Sequence, residues 1–241
     1  MGATAVGEPL LVLRGVGKVY GTTEVETVAL RDVDLSIDAG EFVVILGPSG
    51  SGKSTLLNVI SGLDRASAGT IRFAGEELTG LSEDALTAFR RRHLGFIFQQ
   101  YNLLQNLTVR ENVQIAADLG TNPLGVDDLL ARVGLEQARD KYPHQLSGGE
   151  QQRVSVARSV AKNPDVIFCD EPTGALDEEN SRQVLALLQG LNETDGRTVV
   201  VITHNQGIAR MADTVVRMNS GAITEVVHNT TRLGAHDIEW A

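Results

Sequence analysis

Residues 42–55 read FVVILGPSGSGKST, and the expected architecture of the chain follows from this segment. Residues 47–54 match the pattern G-x-x-x-x-G-K-S, which here follows an apolar run and precedes a helical pattern. The apolar run predicts a buried strand, and the glycines let successive backbone N–H groups point at an anion. The candidate phosphate-binding residues are Gly47, Pro48, Ser49, Gly50, Ser51, Gly52, Lys53, Ser54 and Thr55.

Lys53 and Ser54 supply the chemistry of this loop. A helix that starts near Gly52 adds the positive end of its dipole, and the Lys53 ammonium can reach β- and γ-phosphates. The Ser54 hydroxyl is a candidate ligand for Mg²⁺. The alternative is a glycine-rich turn that contains GKS by chance, but the strand before it and the helix after it favour a phosphate site.

The composition is that of a soluble globular protein. Of the 241 residues, 42% are hydrophobic and 22% are charged, which are ordinary values for a folded domain. The net charge of −10 argues against a nucleic-acid partner, because the phosphate backbone is negative. One cysteine, no signal peptide and no run of about eighteen apolar residues lead us to expect a cytoplasmic chain.

The order of apolar runs predicts an α/β fold with a parallel sheet, an antiparallel β subdomain and an inserted helical subdomain. Strands are predicted at residues 10–19, 28–37, 42–46, 70–73, 93–98, 166–169 and 199–202. Helices are predicted at residues 52–61, 82–91, 129–135, 150–161 and 180–191. We expect one domain over 1–241, with its core at 8–88 and 164–228, helices at 89–163 and a tail at 229–241.

Four of the predicted strands end at a polar group that can take part in chemistry. Residues 42–46 end at the phosphate loop, and the strand at residues 96–98 ends at Gln99. The strand at residues 166–169 ends at Asp170 and Glu171, and the strand that begins at residue 199 ends at His204. Since ligands bind at the carboxyl ends of parallel strands, we expect these groups to converge on one edge of the sheet.

In addition to Lys53, each of the polar groups at the strand ends has a predicted role. Strand alternation sends the two acidic side chains in different directions, so we assign Asp170 to Mg²⁺ and Glu171 to the attacking water. His204 can donate a hydrogen bond to the γ-phosphate and orient the water or Glu171, and Gln99 can complete the metal shell or hold the water. The alternatives are a solvated acidic turn, a structural histidine and an ordinary polar strand end.

A second anion-binding element lies at residues 146–153, LSGGEQQR. Ser147 and Glu150 have the spacing of a capping box, so one interpretation is simply a well-capped helix. However, Gly148 and Gly149 expose backbone N–H groups at the positive end of that helix. One nucleotide per chain would leave this element unused, unless it completes the site of another copy.

With these motifs, the chain resembles the ATP-binding subunits of ABC transporters over roughly residues 8–228. The resemblance implies that Tyr20 stacks on adenine, that Gln99 senses Mg²⁺ and the membrane partner, and that His204 is a switch histidine. Residues 174–177, which end at Asp177, would lie across a dimer. The resemblance further implies a head-to-tail homodimer that holds two ATP molecules between one copy's phosphate loop and Ser147, Gly148 and Gly149 of the other.

Three further segments resemble the branch that serves lipoprotein release, macrolide export and cell division: GLDRASAG at 62–69, GFIFQQYNLL at 95–104 and DEPTGALD at 170–177. This implies an ATPase that powers a separate membrane permease from the inner face of the membrane, for export or mechanotransmission. The alternative is an ATPase that regulates cell-wall hydrolases through a division-type permease. The chain departs from the branch between residues 113 and 146, where Gly120, residues 122–123 and Gly125 interrupt a helix.

Overall fold

The computed structural model describes residues 9–22 and 25–240. Within these ranges the chain forms two sheets and six α-helices. The strands are β1 (Leu11–Thr22), β2 (Val25–Ile37), β3 (Phe42–Leu46), β4 (Ala68–Phe73), β5 (Glu76–Glu77), β6 (Leu94–Phe98), β7 (Val166–Asp170), β8 (Thr198–Thr203), β9 (Thr214–Asn219) and β10 (Ala222–His228).

The α-helices are α1 (Lys53–Ile60), α2 (Glu83–His93), α3 (Val109–Ala117), α4 (Val126–Arg132), α5 (Gly148–Val160) and α6 (Glu178–Glu193). Short 3-10 helices lie at Glu136–Ala138 and Pro143–Gln145, between α4 and α5, and at Gln206–Met211, after β8. None of the described helices combines the length and the apolar character that crossing a bilayer requires.

The central sheet has the strand order β10-β9-β3-β8-β7-β6, and its five strands from β9 to β6 are parallel, among them the four with polar endings, β3, β8, β7 and β6. Leu46 pairs with Thr203, and Asp170 pairs with Ile202 on one side and Phe98 on the other. The four strands β3, β8, β7 and β6 therefore end at the same edge, as their polar endings predict. The second sheet, β2-β1-β4-β5, is antiparallel.

Both faces of the central sheet are covered, which explains why β3 is apolar along its whole length. Val43 and Ile45 pack with α1, α2 and the antiparallel sheet. Phe42, Val44 and Leu46 belong to the other cluster, which includes α3 to α6 and the buried Ile238 near the C-terminus. All five β3 side chains are buried, so this strand fixes the two layers that flank the phosphate loop.

The α/β architecture, the antiparallel group and the strand at Phe42–Leu46 are confirmed. Several predicted ends are wrong. The β1–β2 ladder continues to Thr22 and Val25 because backbone pairing does not need apolar side chains. α6 begins at Glu178, two residues before its predicted start, because the Asp177 side chain caps it.

The segment 89–163 contains a strand as well as helices. β6 lies inside this segment but pairs with β7 in the central sheet. The helices α3, α4 and α5 follow it, and the turn between α3 and α4 contains the predicted interruption from Gly120 to Gly125. The division of the chain into a core, a helical subdomain and a tail stays a prediction.

Candidate functional site

A cleft of about 830 Å³ opens at the carboxyl edge of the parallel strands. It receives side chains from the loop after β3 and from the ends of β6, β7 and β8. The predicted site residues that line it are Ser49, Gly50, Ser51, Gly52, Lys53, Ser54, Thr55, Gln99, Glu171 and His204. Gly47 and Pro48 lie in an adjoining groove that His204 also lines.

Two glycines shape the phosphate loop after β3. Gly52 is the N-cap of α1 and has a φ of 99°, a left-handed conformation that favours glycine. A Cβ atom on Gly47 would collide with the carbonyl oxygen of Met218. The loop can therefore close tightly over β9 and direct backbone N–H groups and the start of α1 into the cleft.

Lys53 is the first residue of α1, directly after this loop, and it is only 8% exposed. Its Nζ donates hydrogen bonds to the carbonyl oxygens of Gly47, at 2.7 Å, and Pro48, at 3.0 Å. Two backbone carbonyl oxygens thus fix the position of the ammonium group. An anion in the cleft would find this charge already oriented.

Ser54 lines the cleft and contacts Asp170, which does not itself line it. The Ser54 hydroxyl donates a hydrogen bond of 3.3 Å to Oδ1 of Asp170. Burial raises the pKa of the Asp170 carboxyl, and the nearby charge of Glu171 acts in the same direction, whereas the Ser54 hydrogen bond and Lys53 oppose the rise in pKa. Ionising the Asp170 carboxyl therefore costs more free energy here than in water, and a cation beside it would reduce that cost.

Ser54 and Asp170 form a donor set that fits Mg²⁺. Hydroxyl and carboxylate oxygens are the hard ligands this ion prefers, and Mg²⁺ commonly binds one or two carboxylates together with substrate phosphates. Among the described residues, no group of three or more His, Cys, Asp or Glu side chains forms a metal cage. A Mg²⁺ site made of Ser54, Asp170 and phosphate oxygens would agree with this two-residue donor set and with the lack of a cage among the described residues.

Glu171 and His204 form a pair at the ends of adjacent strands. Nδ1 of His204 lies 3.0 Å from Oε1 of Glu171. The Glu171 side chain is 19% exposed, whereas that of His204 is 72% exposed. Glu171 has a φ of 47°, an uncommon conformation for a residue with a side chain and one often found at functional sites.

Gln99 follows β6 and joins the same cleft. Its Nε2 lies 2.9 Å from the position that a Cβ on Gly174 would occupy. The backbone N–H of Gly174 donates to the carbonyl oxygen of Glu171 at 3.0 Å. The loop after β6 and the turn after β7 are therefore in direct contact beside Glu171.

Tyr20 does not line this cleft. Its hydroxyl donates to Oδ2 of Asp64 at 2.7 Å, and Lys18 Nζ lies 4.6 Å from the centre of its ring. Burial and the Asp64 hydrogen bond raise the pKa of the Tyr20 phenol. The ring is 40% exposed, so it has a solvent-facing surface, and its stacking on adenine stays a prediction.

Ser147, Gly148, Gly149 and Asp177 also lie outside the cleft of their own chain. The Ser147 hydroxyl accepts from the Glu150 N–H at 3.3 Å, and Glu150 accepts from the Ser147 N–H at 2.8 Å, which completes the predicted capping box. That second bond holds the pKa of the Glu150 carboxyl below its usual range. Asp177 caps α6 by accepting from the Asn180 N–H, and this bond lowers its pKa.

Two polar residues of α5 donate hydrogen bonds to the loops that follow β6 and β7, and the sequence did not reveal them. Gln152 is fully buried, and its Nε2 donates to the carbonyl oxygen of Pro172 at 2.6 Å. Arg158 donates to the carbonyl oxygens of Tyr101 and Asn102 at 2.9 and 2.6 Å. Their helix therefore connects the loop that contains Gln99 with the turn after Glu171.

A second group that the sequence did not reveal also lines the cleft and comes from β2 and the turn between β9 and β10. Its members are Thr27, Val28, Ala29, Arg31, Ser220 and Gly221. A positive φ at Ser220 and Gly221 marks a tight turn, and the Ser-Gly pair was the one available signal for it.

A family model, curated proteins and solved structures all match this chain to ATP-binding proteins of ABC transporters. The family model described as "ABC transporter" matches residues 30–174. The chain is 48% identical over 237 residues to a putative ABC transporter ATP-binding protein, the MG065 homolog of Mycoplasma pneumoniae, and this match covers 97% of the chain. It is 44% identical over 221 residues, or 90% of the chain, to the macrolide export ATP-binding/permease protein MacB of Bradyrhizobium diazoefficiens.

The chain is shorter than these two relatives. It spans 51% of the length of the Mycoplasma protein and 34% of MacB. Among solved structures, it is similar to the dimeric, post-hydrolysis state of the ATP-binding cassette MJ0796 bound to ADP and Pi. That match has a TM-score of 0.83 and 39% identity, and it covers 90% of this chain and 98% of the solved one.

Proposed function

The chain belongs to the ABC transporter family as an ATP-binding cassette, and from this membership we propose that it hydrolyses ATP to drive a separate membrane permease. The observation that carries the proposal is the convergence of Lys53, Ser54, Gln99, Glu171 and His204 on one cleft. These groups arrive from four parallel strands, and together they can bind phosphate, a cation and a water molecule.

The residues of the cleft have separate tasks in this proposal. Lys53 and the N–H groups at the start of α1 bind the β- and γ-phosphates. Glu171 accepts a hydrogen bond from the attacking water, and His204, 3.0 Å from Glu171, holds that carboxylate and contacts the γ-phosphate. Gln99 closes the cleft beside Glu171, and the exposed ring of Tyr20 stacks on adenine.

Ser54 and Asp170 would hold Mg²⁺ in this proposal, with Gln99 as a further ligand. Bound there, the ion would neutralise charge on the phosphate oxygens. The raised pKa of Asp170 supports a nearby cation, because a positive charge offsets the cost of ionising a buried carboxyl. The Ser54 hydroxyl keeps one oxygen of Asp170 oriented toward the phosphate loop.

A second copy of the chain completes each site. Ser147, Gly148 and Gly149 do not line the cleft of their own chain, although they form an anion-binding helix start. The similarity to a dimeric cassette supports a head-to-tail pair in which this helix start meets the γ-phosphate bound by the partner. Asp177 would lie between the two copies, and each pair would hold two ATP molecules.

A membrane partner is the second part of the proposal. Leu104, Ile115 and Leu119 are 43%, 46% and 50% exposed and lie on α3 or on the segments that flank it. Asn112 ties Leu104 to α3, because its side chain bonds the N–H and the carbonyl of that residue. A permease that docks here would act on the loop that contains Gln99, which lies five residues before Leu104.

The permease would place the chain at the inner face of the membrane. The MacB relative is named for macrolide export and contains a permease, which favours transport over regulation of cell-wall hydrolases. Hydrolysis and product release would open the dimer, and the loop that contains Gln99 would transmit this motion.

Steady-state ATP turnover by the purified chain tests this function. We expect Mg²⁺-dependent release of phosphate, and we expect Lys53→Met to abolish it, because the phosphates lose their buried cation. Arg72→Met, which removes an exposed positive charge on β4, is the matched control and should keep wild-type turnover. Equal turnover in both variants would contradict the proposal.

A further inference from the structure

The last residues of the described chain, 229–240, form a C-terminal segment that is fixed to the core without being a helix or a strand. Ala235 and Ile238 are 2% and 1% exposed and belong to the large apolar cluster. Trp240 packs against the same cluster. Burial of this kind shows that the segment is part of the folded domain.

One side of the C-terminal segment contacts the 3-10 helix at Gln206–Met211, which begins two residues after His204. Asn229 Nδ2 donates to the carbonyl oxygens of Ala209 and Ala212 at 3.0 and 2.8 Å. The N–H of Leu233 donates to the carbonyl oxygen of Arg210 at 2.8 Å. Three carbonyl groups at the end of this short helix thus find donors in the segment.

The closest approach is at Gly207. A Cβ atom on this residue would collide with the carbonyl oxygen of Glu239. The Gly207 N–H is already used by the Asn205 side chain, which caps the 3-10 helix at 2.8 Å. The C-terminal segment therefore lies directly on the turn that follows His204, with no space between the two backbones.

The other side of the segment contacts α6. Arg182 Nη1 donates to the carbonyl oxygen of His236 at 2.6 Å, and the Ala235 N–H donates to Gln189 Oε1 at 3.0 Å. Arg232 Nη1 bonds the side chain of Asn192 at 2.9 Å. α6 packs on the central sheet through its buried face, so the segment links a rigid helix to the turn after His204.

We propose that the C-terminal segment is a positioning element for hydrolysis: Asn229 and the backbone of Glu239 hold the turn at residues 205–212, and through it His204, at its distance from Glu171. The inference depends on the proposed ATPase function. It follows from the exposure of His204, because a side chain that is 72% exposed has little packing of its own. Its position is set by β8 on one side and by this turn on the other.

Gly207→Ala is the direct test, because the added methyl group must push the Glu239 backbone away. Gly190→Ala on α6 is the matched control, since a Cβ there meets nothing within 4 Å. We expect Gly207→Ala to lower kcat about tenfold with an unchanged KM for ATP, as a small misplacement of a catalytic group does. Gly190→Ala should leave both constants at wild-type values.

Asn229→Asp is an independent variant in case Gly207→Ala does not fold. It keeps the shape of the side chain and removes both donors to the turn. It should lower kcat without changing KM, and its thermal midpoint should show that the protein is still folded at the assay temperature.

His204→Ala separates positioning from general destabilisation. In that background, measured under single turnover with excess protein, we expect Gly207→Ala and Asn229→Asp to have no further effect on the rate. An equal fold-loss in both backgrounds, or an unchanged kcat in both variants, would overturn the inference and leave the ATPase function intact. No turnover by the wild-type chain would overturn the proposed function and this inference with it.

Discussion

Nδ1 of His204 lies 3.0 Å from Oε1 of Glu171, although 33 positions separate the two residues in the chain. The contact arises because β7 and β8 are adjacent and parallel, so their ends meet. The Glu171 N–H also donates to the carbonyl oxygen of Ile202 at 2.9 Å, which ties the turn after β7 to β8. The two residues are thus anchored at the ends of adjacent strands, and the turn after His204 sets the rest of the geometry of the pair in the positioning proposal.

Glu171→Gln should separate nucleotide binding from hydrolysis. The amide has the shape of the carboxylate but cannot accept a proton from water, so we expect turnover to fall by at least about a hundredfold. ATP should still bind, because Lys53 and α1 are unchanged. Size-exclusion chromatography with ATP and Mg²⁺ should then show a stable dimer, and a variant that stays monomeric under these conditions would argue against the paired arrangement.

Asp170→Asn should raise stability while it removes activity. Burial raises the pKa of Asp170 in the folded chain above its ordinary value of 3.8. The folded state therefore binds more protons than the unfolded state between these two pKa values, so this group makes the protein less stable as pH rises through that window. We expect the variant to melt a few degrees higher than the wild type at neutral pH.

The pH dependence of the thermal midpoint tests whether ionisation of Asp170 causes this difference in stability. The difference in thermal midpoint between Asp170→Asn and the wild type should shrink as the pH falls toward 4 and Asp170 becomes protonated. A difference that grows on acidification would mean that ionised Asp170 stabilises the fold. Thr70→Ala on β4, which does not line the cleft, should show no such trend.

Ser147 and Ser82 provide a paired test of the helix start at α5. Both side chains cap a helix, since Ser82 accepts from the Ala85 N–H at 3.3 Å at the start of α2. Substitution of either by alanine should lower the free energy of unfolding by about 1 kcal/mol, the usual contribution of an N-cap. Urea denaturation measures this loss.

Only Ser147→Ala should also reduce ATP turnover, by about tenfold, because it alone removes a hydroxyl aimed at a γ-phosphate in the paired arrangement. If the two variants lose equal stability and keep equal turnover, Ser147 is a helix cap and nothing more.

The elements that the sequence could predict are those determined by neighbours in the chain. The phosphate loop is one, because the strand, glycines, Lys53 and Ser54 are contiguous and their spacing fixes their geometry. The capping box at Ser147 and Glu150 is another, since its two hydrogen bonds span three residues. The convergence of Asp170, Glu171 and His204 followed from the rule that parallel strands end at one edge.

The features that the sequence could not predict depend on distant partners. Gln152 reads as a polar helical residue, and only the packing of α5 under the turn after β7 buries it against Pro172. β10 escaped prediction because its side chains are largely exposed and show no alternation. The C-terminal segment has no periodicity, and its position is fixed by single hydrogen bonds such as those of Asn229.

In the proposed dimer, each site needs the phosphate loop of one copy and Ser147 of another. Lys53→Met destroys the first part and Ser147→Arg fills the second with a bulky cation, so each variant alone should be inactive. In a mixed dimer, one site contains both defects and the other contains neither, provided the copies pair head to tail.

The measurement is ATP turnover after the two inactive variants are mixed in equal amounts. We predict that activity returns to roughly a quarter of the wild-type value, since half of the dimers are mixed and each has one intact site. Glu171→Gln mixed with Lys53→Met is the control and should stay inactive, because each of the two copies then carries a defect in its own cleft. A mixture of Lys53→Met and Ser147→Arg that also stays inactive would contradict the head-to-tail dimer with shared sites.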